Sequence, residues 1–210
     1  MSWREKIAEI DIYVSSLFYD NGHFAFEENI LGNLIRKGIP EIIVFSAVLI
    51  FFAWLWGKRK HKVFAGIDDK VMLLTSGTMF LGPILIVNGI FKSFWGRARP
   101  QDILQFGGNK LFSLPLEISD QCAWDCSFMS GHTAVAFWLV APALLVSKKY
   151  KPLTVGAALV FGCLTAMFRI GQGAHFLTDV LFSAVLMLVL ISFVYERLFL
   201  FDANIRRTKV

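Results

Sequence analysis

Between Lys70 and Lys92 the chain runs for twenty-one residues, 71–91, without one charged side chain. A helix of about 20 apolar residues crosses the hydrocarbon core of a bilayer, so this segment alone directs the chain into a membrane. Four further runs, 42–57, 126–147, 153–168 and 180–195, also lack Asp, Glu, Lys and Arg. Several are slightly short, but flanking residues extend a helix. In hydrocarbon the backbone must satisfy its own hydrogen bonds, which makes helices the default. The expectation is an all-α integral membrane protein, a bundle of about five transmembrane helices. Composition agrees: 56% of the 210 residues are hydrophobic, 15% are aromatic, and mean hydropathy is +0.58. That length suits one domain. Residues 1–38 form an N-terminal segment, 39–200 the bundle and 201–210 a tail.

Charge sets the orientation. The basic runs 58–62 (KRKHK), 148–151 (KKYK) and 206–209 (RRTK) follow the first, third and fifth apolar runs and so share one face. The positive-inside rule makes that face, with the tail, cytoplasmic. The net charge of +5 is thereby assigned to topology and anion binding. No basic stripe with interleaved aromatics points to nucleic acid. At the N-terminus, Glu5, Glu9 and Asp11 interrupt what would be the apolar core of a signal peptide. Ile7, Ile10, Val14, Leu17 and Phe18 recur at helical spacing. This is an amphipathic helix that either lies in the outer interface or packs on the bundle.

The other face collects the chemistry. It receives Lys92, Arg97 and Arg99 after the second run, Ser130, Gly131 and His132 in the third, and Arg169, His175 and Asp179 between the fourth and fifth. Singly, each has a plain reading: a snorkelling anchor, a helix cap, a stabilising i, i+4 pair. Together, at one membrane level, they read as a site. Guanidinium and ammonium groups match phosphate oxygens. Backbone N–H groups at Ser130 and Gly131, opening a helix, also face an anion. His175 and Asp179 share a helix face, so that one imidazole nitrogen is held and the other is free to attack. His132 is placed as general acid. The set specifies phosphoryl transfer through a phosphohistidine, with cations in the role that metals play elsewhere, so neither a metal nor a cofactor is expected. Cys122 and Cys126, four apart on this exported face, suggest a disulfide over free thiols or a metal pair. Arg97 is an auxiliary candidate for a second phosphate or a sugar.

These clusters resemble the tripartite signature of the type 2 phosphatidic acid phosphatase superfamily. Its first motif, Lys, six residues, Arg-Pro, corresponds to Lys92 through Arg99-Pro100. The second, Pro-Ser-Gly-His, corresponds to residues 129–132, with Met129 in place of proline. The third, Ser-Arg, five residues, His, three residues, Asp, corresponds to Phe168-Arg169, His175 and Asp179, with Phe168 in place of serine. The resemblance implies that Lys92, Arg99, Ser130, Gly131 and Arg169 hold the phosphate. It makes His132 the acid, His175 the nucleophile and Asp179 its orienting partner. The stretches FWGRARPQDILQFGG, QCAWDCSF and FRIGQGAHFLTDVL are similar to bacterial lipid A phosphatases, especially those acting on the 4′-phosphate.

Aromatic Phe91, Phe94, Trp95 and Phe106 flank the cations at headgroup level, which suits a phosphorylated membrane lipid as substrate and the bilayer as partner. The expectation is a metal-independent lipid phosphatase in the bacterial inner membrane, its site facing the periplasm. Phosphatidylglycerophosphate, phosphatidic acid and undecaprenyl pyrophosphate remain alternative substrates, and a lipid phosphotransferase an alternative reaction. An anionic-lipid-binding membrane protein is the non-enzymatic alternative, though binding alone has no need of His132, His175 and Asp179.

Overall fold

The computed structural model describes residues 2–27 and 38–200. Helix α1 (Trp3–Ser16) starts in a capping box: the Ser2 hydroxyl accepts from the Arg4 amide and the Glu5 carboxylate from the Ser2 amide. A hairpin of β1 (Tyr19–Asp20) and β2 (His23–Phe24) follows. Its turn is Asn21-Gly22, both at positive φ, the pairing that a tight hairpin turn favours.

Four helices are long and apolar enough to cross a membrane: α2 (Ile39–Arg59), α3 (Asp69–Phe94), and the two labelled α6 (Lys151–Gly171) and α7 (Leu177–Leu200) below. Pro40 sits in the first turn of α2, where its missing N–H costs nothing. Asp68 caps α3 by accepting from the Val71 amide at 2.9 Å. Pro83 lies inside α3, which winds wider than an α-helix on either side of it, and Asn88 returns a 2.8 Å hydrogen bond to the Pro83 carbonyl.

The remaining apolar run, 126–147, differs from a simple span. Residues 126–130 are irregular and line the site. The run then becomes α4 (Gly131–Trp138) and, after a break at Leu139, α5 (Val140–Ala143). Pro142 lacks the amide that would continue the ladder across this break. This inner helix is enclosed by the four long ones, with Ala134, Val135, Ala136, Phe137 and Trp138 all buried. Gly162 lets α6 approach it, since a Cβ there would lie 2.8 Å from the Phe137 ring. The Trp138 indole donates to the Thr75 carbonyl at 2.9 Å, so its one polar group is satisfied. The outward faces carry exposed Ile42, Phe45, Phe52, Leu153 and Val189, which suits hydrocarbon contact.

The bundle has two chemically distinct ends. At one, Lys58 pairs with Asp69, Lys70 donates to the Leu198 carbonyl and Lys151 to the Tyr195 hydroxyl, so the basic runs 58–62 and 148–151 share that end. The third basic run, 206–209, and the rest of the tail lie outside the described residues, as do residues 28–37 of the N-terminal segment. The opposite end holds residues 95–130, residues 172–176, the hairpin and α1.

Helix α1 packs on the bundle through its polar side. Asp11 and Ser15 are fully buried, whereas Trp3, Ile10, Tyr13 and Leu17 are exposed. Of the apolar stripe read in the sequence, Ile10 and Leu17 face outward while Ile7, Val14 and Phe18 are half-buried, and the acidic Asp11 is the anchor.

Candidate active site

Helix ends bring the three motifs together. Lys92 lies in the last turn of α3, Ser130 caps α4, His132 lies in its first turn, Arg169 lies in the last turn of α6, and Asp179 stands in the first turn of α7. Backbone hydrogen bonds stitch the connecting segments: Ser127 N to Arg97 O at 2.9 Å, and Gln101 N to Gly173 O at 3.0 Å. Gly131 allows close approach of α3, because a Cβ would lie 2.7 Å from Asn88 Oδ1.

His175 is fully buried, with Nδ1 2.7 Å from the carbonyl oxygen of Ser127. A carbonyl only accepts, so the proton resides on Nδ1 and the Nε2 lone pair is free. Nε2 has no hydrogen-bond partner among the described residues. Burial, then the charges of Arg169, Lys92, Arg99 and His132, push the His175 pKa well below its ordinary value and keep the ring neutral. Asp179 stands 3.9 Å from Nδ1. Its carboxylate instead accepts from the Ser127 hydroxyl at 2.6 Å, the Phe176 amide at 2.8 Å and the Arg97 guanidinium. Asp179 thus reaches His175 through Ser127, whose hydroxyl it holds while the Ser127 carbonyl holds the ring.

Arg97 is wholly buried, and its hydrogen bonds run inward. It bridges Asp179 to Asp11 (2.8 Å), donates to Thr178 Oγ1 and the Ser113 carbonyl, and stacks over Phe176 with 4.3 Å to the centroid. Burial and these partners take Arg97 away from the second phosphate or sugar that the sequence left open for it. Asp11 also accepts from the Thr178 amide and hydroxyl at 2.9 and 2.6 Å.

The remaining cations surround His175. Arg169 is buried and donates to Gln172 Oε1 at 2.6 Å. Lys92 and Arg99 both donate to the Asp125 carboxylate, Arg99 at 2.5 Å. Burial alone would raise the Asp125 carboxyl, but hydrogen bonds and charge from Lys92 and Arg99 outweigh it and hold it below its usual range. Cys122 and Cys126 are disulfide-bonded, with Cα atoms 5.6 Å apart, so Asp125 lies inside the loop they close. His132 and Lys92 line a cavity of about 460 Å³ that continues between Val44, Phe45, Val48 and Val135 on the apolar flank. Among the described residues no three His, Cys, Asp or Glu side chains gather as metal ligands. The two departures from the motif are packed: Met129 is buried, and the Phe168 ring lies 4.9 Å from that of Phe26.

A buried imidazole under the charges of several cations, at the end of a membrane bundle, suits a membrane-embedded lipid phosphatase, and the comparisons with known proteins show that class. The chain belongs to the PAP2 superfamily, whose model matches residues 70–201. It is similar to the lipid A 4′-phosphatase of Francisella tularensis subsp. novicida, 34% identical over 90% of this chain and 86% of that protein. The lipid A 4′-phosphatase of Rhizobium leguminosarum is 29% identical over 81% of this chain and 79% of its own length. No solved structure matches significantly.

Sequence reading missed Asp11, Asp125, Ser127 and Gln172. Gln172 and Ser127 carry no motif spacing. Asp11 left a faint signal, an acid flanked directly by Ile10 and Ile12.

Proposed function

We propose that this protein removes the 4′-phosphate of lipid A by a covalent phosphohistidine mechanism that uses side-chain cations and no metal. The observation that carries this reading is His175: Nδ1 is held by the Ser127 carbonyl at 2.7 Å, which leaves Nε2 unpartnered beside Lys92, Arg99 and Arg169. Nε2 attacks phosphorus while the P–O ester bond breaks and the leaving oxygen takes a proton from His132. Lys92, Arg99, Arg169 and the backbone amides after Ser130 stabilise the charge on the transferring group. Water then attacks the phosphohistidine, His132 takes its proton, and inorganic phosphate leaves. Asp179, acting through Ser127, keeps His175 in the attacking tautomer. The apolar flank of the cavity, Val44, Phe45, Val48 and Val135, suits an ester whose tails stay in the membrane. Similarity to lipid A 4′-phosphatases over most of the chain supports the substrate. The basic runs at the opposite end of the bundle support an inner-membrane protein whose site faces the periplasm.

The test is to incubate purified protein with lipid A and with phosphatidic acid, then measure inorganic phosphate and product mass. Loss of the 4′-phosphate from lipid A is expected. Turnover of phosphatidic acid with lipid A left intact would contradict the assignment.

A further inference from the structure

Asp125 is placed differently from the two buried acids at this end of the bundle. Asp11 and Asp179 are wholly buried and share Arg97, whereas the Asp125 side chain is 56% exposed. It nevertheless carries the main ionic contacts of two cradle cations. One carboxylate oxygen takes Lys92 and the other takes Arg99 at 2.5 Å, and Arg99 also donates to the Asp125 backbone carbonyl at 2.8 Å. Those cations are themselves largely buried, with side chains 10% and 21% exposed, so the accessible member of the trio is the carboxylate. Asp125 has φ of 50°, a left-handed conformation that aspartate tolerates better than most residues, and it sits between exposed Trp124 and Cys126 in the disulfide-closed loop.

We propose that Asp125 is a resident counter-anion of the phosphate cradle, a specificity-determining residue that the substrate phosphoryl group must displace from Lys92 and Arg99. This rests on the reading of the cradle as the phosphate site. Two carboxylate oxygens, one to each cation, mimic two phosphoryl oxygens. A buried pair of cations without any anion would carry a large desolvation cost, which Asp125 offsets while the site awaits its ester. The exchange sets a threshold. Weak monoanions fail to expel Asp125, whereas a phosphomonoester dianion with further lipid contacts succeeds, and product phosphate, lacking those contacts, is readily expelled in turn. Asp125 therefore weakens ground-state binding and speeds product release.

The experiment uses the full-length protein in detergent, with lipid A as substrate and inorganic phosphate as competitive inhibitor. Asp125→Asn should lower the inhibition constant for inorganic phosphate and the KM roughly tenfold each, the effect of removing one charged hydrogen-bond competitor. Asp125→Glu should restore both towards the parent values. Reducing the Cys122–Cys126 disulfide of the unmutated protein, which loosens the loop that presents Asp125, should shift phosphate inhibition in the same direction and keeps the test open if the variant folds poorly. Unchanged or weaker phosphate inhibition in Asp125→Asn, with the parent still hydrolysing lipid A, would overturn the displacement idea alone. Absence of phosphate-sensitive hydrolysis in the parent as well would overturn it together with the phosphate reading of the cradle.

Discussion

The carbonyl oxygen of Ser127 lies 2.7 Å from His175 Nδ1, closer than the Asp179 carboxylate at 3.9 Å. His175 precedes α7, which begins at Leu177, so the pair does not share a helix face as the i, i+4 spacing suggested; the segment entering α7 brings them together instead. The acid spends its hydrogen bonds on Ser127, Phe176 and Arg97, and the neutral carbonyl sets the tautomer. A carbonyl fixes the proton on Nδ1 without drawing it off.

Asp179→Asn should therefore slow phosphorylation by roughly 10²-fold, the scale of losing a group that orients another, with KM little changed. Single-turnover phosphate transfer measures it, and an unaltered rate would remove Asp179 from the positioning chain.

Acid should act on stability through His175. Its folded pKa lies well below the ordinary value of 6.5, so below that pH the unfolded chain binds a proton that the folded one refuses. Stability from this group is complete above about pH 6.5 and falls as pH drops below it. Unfolding midpoints between pH 7 and 5 should decline more steeply for the parent than for His175→Gln. The rate of His175 phosphorylation should likewise hold below pH 6.5, since the attacking ring stays neutral there.

The Arg97 bridge predicts that α1 belongs to the folded core. Asp11→Ala leaves Arg97 paired with Asp179 but strands the Thr178 amide and one guanidinium N–H, which Asp11 had accepted from, and should cost about 1–3 kcal/mol. Thermal unfolding in detergent reads this as a drop in Tm, accompanied by protease sensitivity around residues 17–27. An unchanged Tm would mean that α1 contributes little.

If Lys92, Arg99 and Arg169 neutralise the transferring phosphoryl group, the reaction needs no metal, and chelation should leave lipid hydrolysis within about twofold of its starting rate. Complete loss with EDTA, reversed by a divalent ion, would replace this mechanism.

Much of this arrangement was legible beforehand because its determinants are local. Uninterrupted apolar runs specify helices in a bilayer, and the three motifs place Lys92, His132, His175 and Asp179 at helix ends whose membrane level follows from counting spans. The inner helix was less legible: 126–147 reads like the other runs, and enclosure by four neighbours, together with Pro142, is a property of packing. The roles of Asp11 and Arg97 were hidden for the same reason. Charge on an N-terminal helix looks like a solvated face until its partner, 86 residues away, is known. Phe168 departs from the motif, and its packing on Phe26 follows from the chain folding back over α6.

The central claim is the covalent intermediate on His175. Protein mixed with lipid A labelled in its 4′-phosphate, quenched in alkaline denaturant and digested for mass spectrometry, should carry a phosphoryl group on the peptide containing His175, and His175→Ala should carry none and release no phosphate. Full turnover by His175→Ala, or label trapped on His132 instead, would contradict the account.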